Sequence, residues 1–226
     1  GTAGVTMVNG LAIVPGTITD DDRLVWNNGD GTDKMDGADG SDTVEVNGSN
    51  TEGDTFEISA NTTKSTVTFA RTNLGAFTLT ITTSEALQVN GQGGDDKINV
   101  QSTLNKFTVA LSGGAGNDAF SLDSNTTATA GGTSKNVISG VTIDGGAGTD
   151  TFTLEDSDTT TAITLTIAGG KITGSGKGAD VTFTTIEAVT TNLGKAADTV
   201  TLTPVAGLTF NINGNTPTDA NADKLI

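Results

Sequence analysis

The feature that most constrains the fold is a recurring aspartate that closes a glycine-rich turn and opens a strand. In DTFTL, which begins at Asp150, apolar and polar residues alternate after the aspartate, and this period is typical of a half-buried β-strand. Repetition of one such unit predicts supersecondary elements that stack on their neighbours. The aspartates that carry the pattern are Asp42, Asp54, Asp96, Asp118, Asp150 and Asp198, with Asp180 in a shifted phase and Asp223 in a truncated copy.

A second strand precedes the turn, so one unit reads as strand, glycine turn, aspartate, strand and connector. FTVALSGGAGND at 107–118 and SGVTIDGGAGTD at 139–150 show the first part of this unit, and no segment has a convincing helical period. We predict an all-β fold, a right-handed parallel β-helix or β-solenoid. The alternative is an antiparallel β-sandwich, which the threonine and glycine content also permits. The residues predicted to point inward are Leu87, Val89, Ile98, Val100, Val109, Leu111, Phe120, Leu122, Val141, Ile143, Phe152, Leu154, Val200 and Leu202.

The chain divides into a short N-terminal segment and a single body. Residues 22–226 are predicted to form one β-solenoid, because glycine punctuation runs through them without a long linker. Residues 1–21 lack the turn-aspartate frame and include the apolar stretch VTMVNGLAIV at 5–14. This segment is predicted to be a strand that caps the first coil or pairs with a neighbouring subunit.

The charge balance limits the partners of the chain. Aspartate and glutamate number 27 against 11 lysines and arginines, for a formal net charge of -16. This charge repels phosphate backbones and anionic lipids, and no apolar run approaches membrane-spanning length. We therefore expect neither nucleic-acid binding nor membrane insertion, and we expect a divalent cation to neutralise part of the charge.

The absence of two residue types excludes several chemistries. The chain has no cysteine and no histidine, which removes disulfides, thiolate metal sites, the usual zinc ligand and the commonest general base. Together with the abundance of glycine, threonine, asparagine and aspartate, the lack of cysteine indicates a bacterial protein that is secreted or held at the cell surface.

Two turns carry a specific resemblance. GGAGND at 113–118 and GGAGTD at 145–150 resemble the GGxGxD turn of hemolysin-type (RTX) calcium-binding repeats, which occur in bacterial surface-layer, filament and adhesin proteins. The resemblance implies Ca²⁺ bound by backbone carbonyls of the turn and by the closing carboxylate. It implies isolated sites, because only Asp33 to Asp42 keeps the nine-residue interval of the family. The ligands carried over are Asp33, Asp42, Asp95, Asp96, Asp118 and Asp150, with carbonyls of Gly114, Gly116, Gly146 and Gly148.

The densest acidic stretch is NNGDGTDKMDGADGSD at 27–42. Its aspartates fall at every third position, and five carboxylates so close in sequence would not all ionise readily without a cation. We predict the strongest single metal site here. Its ligands would be Asp30, Asp33, Asp36, Asp39 and Asp42.

These observations predict a non-enzymatic extracellular structural protein, stabilised by Ca²⁺, that self-assembles into a surface layer, filament or adhesin. Stacked strands leave open edges that favour pairing with another copy of the chain. An enzyme of the β-helix class is not expected, because histidine and tyrosine are absent and Arg23 and Arg71 have no matching acidic constellation. Glu85 and Glu187 occupy matching positions before two strands and are interpreted as structural.

Two other functions stay open at this point. A calcium-dependent carbohydrate-binding module of a secreted protein would bind a cell-surface glycan, with Trp26 as the obvious aromatic for stacking a sugar. An ice-binding β-solenoid would present outward threonines in ranks. The candidate strands for such ranks are TLTIT at 78–82, TFTL at 151–154, TLTI at 164–167 and VTLT at 200–203.

Overall fold

The computed structural model describes residues 5–6, 21–126, 131–215 and 222–226. Within them the chain is all-β, apart from a single-turn 3₁₀ helix at Ser134–Asn136, and no helix there is long and apolar enough to cross a membrane. The predicted all-β class is confirmed. The strands are β1 (Val5–Thr6), β2 (Arg23–Asn27), β3 (Asp33–Asp36), β4 (Thr43–Asn47), β5 (Thr55–Asn61), β6 (Thr66–Arg71), β7 (Phe77–Thr82), β8 (Ala86–Gly93), β9 (Lys97–Val100), β10 (Thr108–Ala115), β11 (Ala119–Leu122), β12 (Val141–Ala147), β13 (Thr151–Glu155), β14 (Thr164–Ala168), β15 (Lys171–Ser175), β16 (Val181–Thr184), β17 (Ala188–Asn192), β18 (Thr199–Leu202), β19 (Thr209–Asn213) and β20 (Lys224–Leu225).

Two large mixed sheets contain these strands. Sheet 1 has 11 strands in the order β1-β2-β4-β8-β10-β12-β16-β15-β14-β18-β20, and sheet 2 has nine in the order β19-β17-β13-β11-β9-β5-β6-β7-β3. From β8 to β13 the chain alternates between the sheets, with β8, β10 and β12 in sheet 1 and β9, β11 and β13 in sheet 2. Before Asp96, Asp118 and Asp150 the glycine turn leads from a strand of sheet 1 to a strand of sheet 2, whereas β15 and β16, on either side of the turn that ends at Asp180, both lie in sheet 1.

Parallel pairing places equivalent residues of successive units side by side. In sheet 1, Leu87 of β8 is aligned with Val109 of β10, which is aligned in turn with Val141 of β12. In sheet 2, Ile98 and Phe152 flank Phe120 in the same way. Register is strongly specified here, because a slip of one residue would move every apolar side chain to the solvent face.

Two antiparallel insertions make the sheets mixed. In sheet 2, β6 pairs antiparallel with both β5 and β7, and in sheet 1, β15 pairs antiparallel with both β14 and β16. The chain segments that follow β5 and β13 therefore return through meanders, which the repeating unit did not indicate. On either side of each insertion the parallel register resumes.

The apolar core lies along the inward faces of both sheets and forms one cluster. Every residue predicted to point inward is buried, except Leu202, which is partly buried against the same cluster. The aromatic part of the core is near β2, where Trp26 stacks on Phe77 with ring centroids 3.8 Å apart. Phe69 continues the stack, 5.9 Å from Phe77.

The N-terminal segment predicted at 1–21 falls almost entirely outside the described residues. Of this segment, the structure describes the backbone of β1 and residue 21. In β1, Val5 and Thr6 pair in parallel with Leu24 and Val25 of β2.

Loss of one inward side chain should destabilise the protein far more than loss of an outward one on the same strand. We expect Ile98→Ala to lower the free energy of unfolding by about 2–5 kcal/mol, because it leaves a cavity in a closed core. Lys97→Ala, at an exposed position next to it, should change that free energy by less than about 0.5 kcal/mol. Urea denaturation would measure both, and similar midpoints for the two variants would contradict the assigned register.

Candidate metal centre

Four turn aspartates stand in a row where strands of sheet 2 begin. These are Asp54, Asp96, Asp118 and Asp150, here called the aspartate ladder, and each is at most 1% exposed. The backbone N–H of Asp54 donates to Asp96 Oδ1 (2.6 Å), that of Asp96 to Asp118 Oδ1 (2.8 Å), and that of Asp118 to Asp150 Oδ1 (2.7 Å). From Asp96 onward, each carboxylate thus accepts a hydrogen bond from the amide at the start of the preceding strand in this row. The row closes at Glu187, whose Oε2 accepts from the Asp150 N–H (2.6 Å).

A shorter row of the same kind lies where strands of sheet 1 begin. The N–H of Asp22 donates to Asp42 Oδ1 (2.7 Å), and the N–H of Asp42 donates to Glu85 Oε2 (2.7 Å). Glu85 and Glu187 therefore do the same work in different sheets, each as the last acceptor of a row. These bonds support the structural interpretation of the two glutamates.

A glycine five residues before each later ladder aspartate makes room for its carboxyl group. A Cβ at Gly113 would clash with Asp118 Oδ2 and would lie 2.6 Å from the carbonyl oxygen of Gly145. A Cβ at Gly91 would clash with Asp96 Oδ2 and lie 2.6 Å from the carbonyl oxygen of Gly113. In each case a carboxyl oxygen and a carbonyl oxygen from the next turn face the same side of one glycine Cα. The space beside this glycine is here called a ladder corner.

One carboxyl oxygen of each later ladder aspartate has no partner. Among the described residues, Oδ2 of Asp96, Asp118 and Asp150 is buried without a hydrogen bond, and the same holds for Oδ2 of Asp33 and Asp42. A buried acceptor without a partner carries a substantial desolvation cost. This unpartnered oxygen recurs at equivalent positions of successive units.

The pKa values of the ladder carboxyl groups reflect the same burial without enough hydrogen-bond donors. Burial raises the pKa of Asp96 to about 7, against the stabilising N–H of Asp54 and with added repulsion from Asp118. Burial likewise raises the pKa of Asp118 and of Asp150. The ionised ladder is therefore costly unless a proton or a cation supplies positive charge.

The predicted five-aspartate site at 27–42 is not gathered into one place. Among the described residues, no three acidic side chains come close enough to hold one ion. Asp36 is held by Lys34 (Nζ to Oδ2, 2.8 Å) and by the hydroxyl of Thr83, which together lower its pKa to about 2. The others are separated: Asp30 accepts from the Asn27 N–H, Asp33 opens β3 in sheet 2, Asp39 is exposed, and Asp42 belongs to the row in sheet 1.

The predicted glycine ligands have the backbone that the turn requires, but their carbonyls serve the stacking of the turns. Gly114, Gly116, Gly146 and Gly148 have φ of 102°, 140°, 97° and 149°. The carbonyl oxygens of Gly114 and Gly116 face the Cα atoms of Gly146 and Gly148 so closely that a Cβ there would clash. The carbonyls that accompany the unpartnered carboxyl oxygens come instead from Gly113 at Asp96, from Gly145 at Asp118 and from Thr185 at Asp150. The fixed five-residue offset between glycine and aspartate was the available signal.

Asp95 lies outside the aspartate ladder and heads an outer row. It is exposed, and its Oδ1 accepts from the Asn117 N–H (2.7 Å). Asn117 Oδ1 accepts in the same way from the Thr149 N–H (2.9 Å). The two aspartates of GQGGDD therefore have different positions: Asp96 lies inside the ladder corner, and Asp95 lies outside it.

The described residues do not expose an aromatic side chain at the places considered for glycan binding. Trp26 is fully buried and donates its Nε1–H to the Gly31 carbonyl (2.9 Å), so its ring cannot stack a sugar. A shallow groove of about 510 Å³ on sheet 1, lined by residues of β8, β10, β12 and β16 such as Asp144, has no aromatic side chain among its described lining.

The threonine-rich strands considered for ice binding lie in different sheets. Strands β14 and β18 pair in sheet 1, whereas β7 and β13 lie in sheet 2, so the four segments do not form one face.

Comparison with known proteins gives no match: no family model, curated protein or solved structure is similar to this chain. The resemblance of GGAGND and GGAGTD to RTX turns therefore stays a prediction from two short segments.

A methyl group in the ladder corner should be poorly tolerated. We expect Gly113→Ala to destabilise the protein by about 1–3 kcal/mol, because its Cβ would displace the Asp118 carboxyl group. Gly31→Ala is the matched control, since nothing lies within 4 Å of a Cβ there. Thermal unfolding followed by circular dichroism would measure both variants, and equal melting temperatures for the two would refute the packed corner.

A separate carboxyl group gives a pH-dependent test. Burial, with repulsion from Glu155 and Glu57, raises the pKa of Asp123 to about 6. The folded state therefore binds a proton more tightly than the unfolded state, and the stability due to this group falls as pH rises from about 4 to about 6. Asp123→Asn keeps an oxygen acceptor for the Asn125 N–H and removes the charge. Its melting temperature should exceed that of wild type by a few degrees at pH 7.5 and equal it near pH 4. A variant less stable than wild type at pH 7.5 would contradict this assignment.

Proposed function

We propose that the chain is a non-enzymatic, calcium-stabilised extracellular structural protein, built as a β-solenoid, that assembles with copies of itself. The observation that carries the proposal is the buried, unpartnered carboxyl oxygen that recurs at Asp96, Asp118 and Asp150. The acidic, cysteine-free composition supports an extracellular setting.

The solenoid is supported by how the chain moves between the sheets. From β8 to β13 each unit contributes one strand to sheet 1 and the next to sheet 2, and successive units pair in parallel and in register. In a solenoid each coil contacts mainly its neighbours, so the apolar rows and the aspartate ladder would run along the axis. The antiparallel meanders at β6 and β15 would then be insertions into single coils.

A hard cation suits the ladder corners better than a further hydrogen-bond donor. The groups that face one another are two acceptors, a carboxyl oxygen and a backbone carbonyl oxygen, as with Asp118 Oδ2 and the carbonyl of Gly145 at Gly113. Calcium binds six to eight such oxygens and tolerates an irregular shell, whereas magnesium demands near-octahedral geometry. Asp96, Asp118 and Asp150 would hold it in the ladder, and Asp33 and Asp42 in sheet 2 and sheet 1. Bound calcium would supply the positive charge that the buried carboxylates lack.

Calcium should raise the melting temperature strongly and reversibly at pH 8, and magnesium should have little effect. A ligand at 100 times its dissociation constant contributes about 2.7 kcal/mol per site. Asp118→Asn should weaken the response, because it removes one charged ligand and keeps the side-chain shape. Glu52→Gln, which removes a charge from an exposed position, should respond like wild type. Melting that is indifferent to both calcium and chelator would end the calcium proposal.

Self-assembly is supported by the strand edges. Within the described residues, sheet 1 ends at β20 and sheet 2 at β19, and the apolar side chains of Leu225 in β20 and of Ile226 next to it are 62% and 59% exposed. Unpaired edges beside exposed apolar residues favour pairing with another strand. We propose a second copy of this chain as the partner, because its strands have the matching repeat.

Assembly should be visible directly. In calcium, light scattering and electron microscopy should show particles that grow with protein concentration. Leu225→Lys with Ile226→Lys should reduce this growth by placing charge at the edge, whereas Ile138→Lys, at an exposed residue between β11 and β12, should not. A monodisperse monomer at high concentration in calcium would contradict the assembly proposal.

A further inference from the structure

One ladder position differs from the others. Both carboxyl oxygens of Asp54 have protein partners: Oδ1 accepts from Arg71 Nη1 (3.1 Å) and Oδ2 accepts from the Ser49 N–H (2.7 Å). Asp96 and Asp118 each have one N–H partner and one buried oxygen without a partner among the described residues. The position beside a protein cation is the one whose carboxylate is fully satisfied.

Several contacts besides Asp54 fix the position of the Arg71 side chain. It ends β6 and is 5% exposed. Its Nη1 also donates to Asn28 Oδ1 (2.8 Å), and its Nη2 donates to the carbonyl oxygen of Leu74 (2.9 Å). The guanidinium carbon lies 5.2 Å from the ring centroid of Phe77. A planar group with five donors can make all these contacts at once, which a lysine ammonium cannot.

The place of Arg71 in the sheet explains why the first position needs it. Elsewhere in the ladder the carboxylate accepts a hydrogen bond from the backbone N–H of the preceding parallel strand, as Asp118 accepts one from Asp96. On the corresponding side of β5 the neighbour is the antiparallel strand β6, in which Arg71 stands opposite Phe56. The antiparallel insertion supplies a side-chain cation at this point in place of a backbone donor.

We propose that Arg71 is the internal counter-ion of the ladder: it supplies at Asp54 the positive charge that an external cation would supply at Asp96, Asp118 and Asp150, and it does so at Oδ1, the oxygen that elsewhere accepts the preceding amide. This inference rests on the proposed calcium binding. It means that the first ladder position is complete without metal and that calcium binds only at the later ones. Removing the Arg71 charge leaves Asp54 Oδ1 without a partner and the Ser49 N–H on Oδ2 as the remaining donor, so a buried carboxylate without positive charge beside it becomes one more place for a cation.

The test is a count of bound calcium ions by native mass spectrometry across matched variants. Relative to wild type, Arg71→Met should gain one ion, Asp118→Asn should lose one, and the double variant Arg71→Met with Asp54→Asn should return to the wild-type count. In chelator Arg71→Met should melt lower than wild type, and calcium should restore more of its melting temperature than it adds to wild type. An unchanged count in folded Arg71→Met would overturn the role of Arg71.

A second variant covers the case in which Arg71→Met does not fold. Asp54→Asn with Arg71 retained should bind as many ions as wild type, because the first position holds none. Loss of one ion from this variant would overturn the inference, since Asp54 would then be a calcium ligand. If wild type itself binds no calcium, the proposed function fails at its first step, which is a different outcome from an unchanged count in the variants.

Discussion

The hydrogen bond from a turn amide to the carboxylate of the next parallel strand is the interaction on which the structure depends. It satisfies a buried N–H at the start of β5, β9, β11 and β13, and a bond to an ionised acceptor is roughly twice as strong as a neutral one. It also fixes register, since Asp96, Asp118 and Asp150 can stand in a row only if their strands are aligned. The glycine five residues earlier follows from it, because the carboxyl group occupies the space of a Cβ.

The same interaction leaves one buried carboxyl oxygen without a partner at Asp96, Asp118 and Asp150. A buried acceptor without a partner costs about 1–3 kcal/mol, and the oxygens of Asp42, Asp96, Asp118 and Asp150 together would consume much of the 5–15 kcal/mol by which a typical domain is stable. Proteins rarely keep such groups without compensation. Asp54 shows one compensation inside the chain, and an ion from solution is the proposed compensation elsewhere.

The sequence predicted the strands and the inward residues well because the period of a strand is fixed at two. The apolar residues of DKINV and DAFSL could point only one way once their neighbours were outward, and Ile98 and Phe120 are buried as expected. It did not predict the meanders at β6 and β15, since alternation has the same appearance in parallel and antiparallel strands. The aromatic Trp26 was considered a surface residue because a single sequence does not show that Phe77 would cover it.

The candidate site was predicted in part. The turn aspartates were recognised from their position, but their inward direction and their bonds to neighbouring amides depend on strands far apart in sequence. The five aspartates at 27–42 are not gathered into a single site, for a geometric reason. Aspartates three residues apart along an extended chain are about 10 Å apart, and the chain here passes from one sheet to the other. The carbonyls of Gly113 and Gly145 were missed because a turn motif does not show which carbonyl meets the next turn.

The direction of the aspartate ladder has a consequence for biogenesis. Every carboxylate in it reaches back to an amide that lies earlier in the chain, from Asp96 to Asp54 and onward to Glu187. During synthesis, each newly emerged segment therefore brings the acceptor for the ladder amide of the segment before it, and the most recent ladder amide lacks its acceptor until the next segment arrives. We expect order in the ladder to spread from its N-terminal side, with the last segment the least stable.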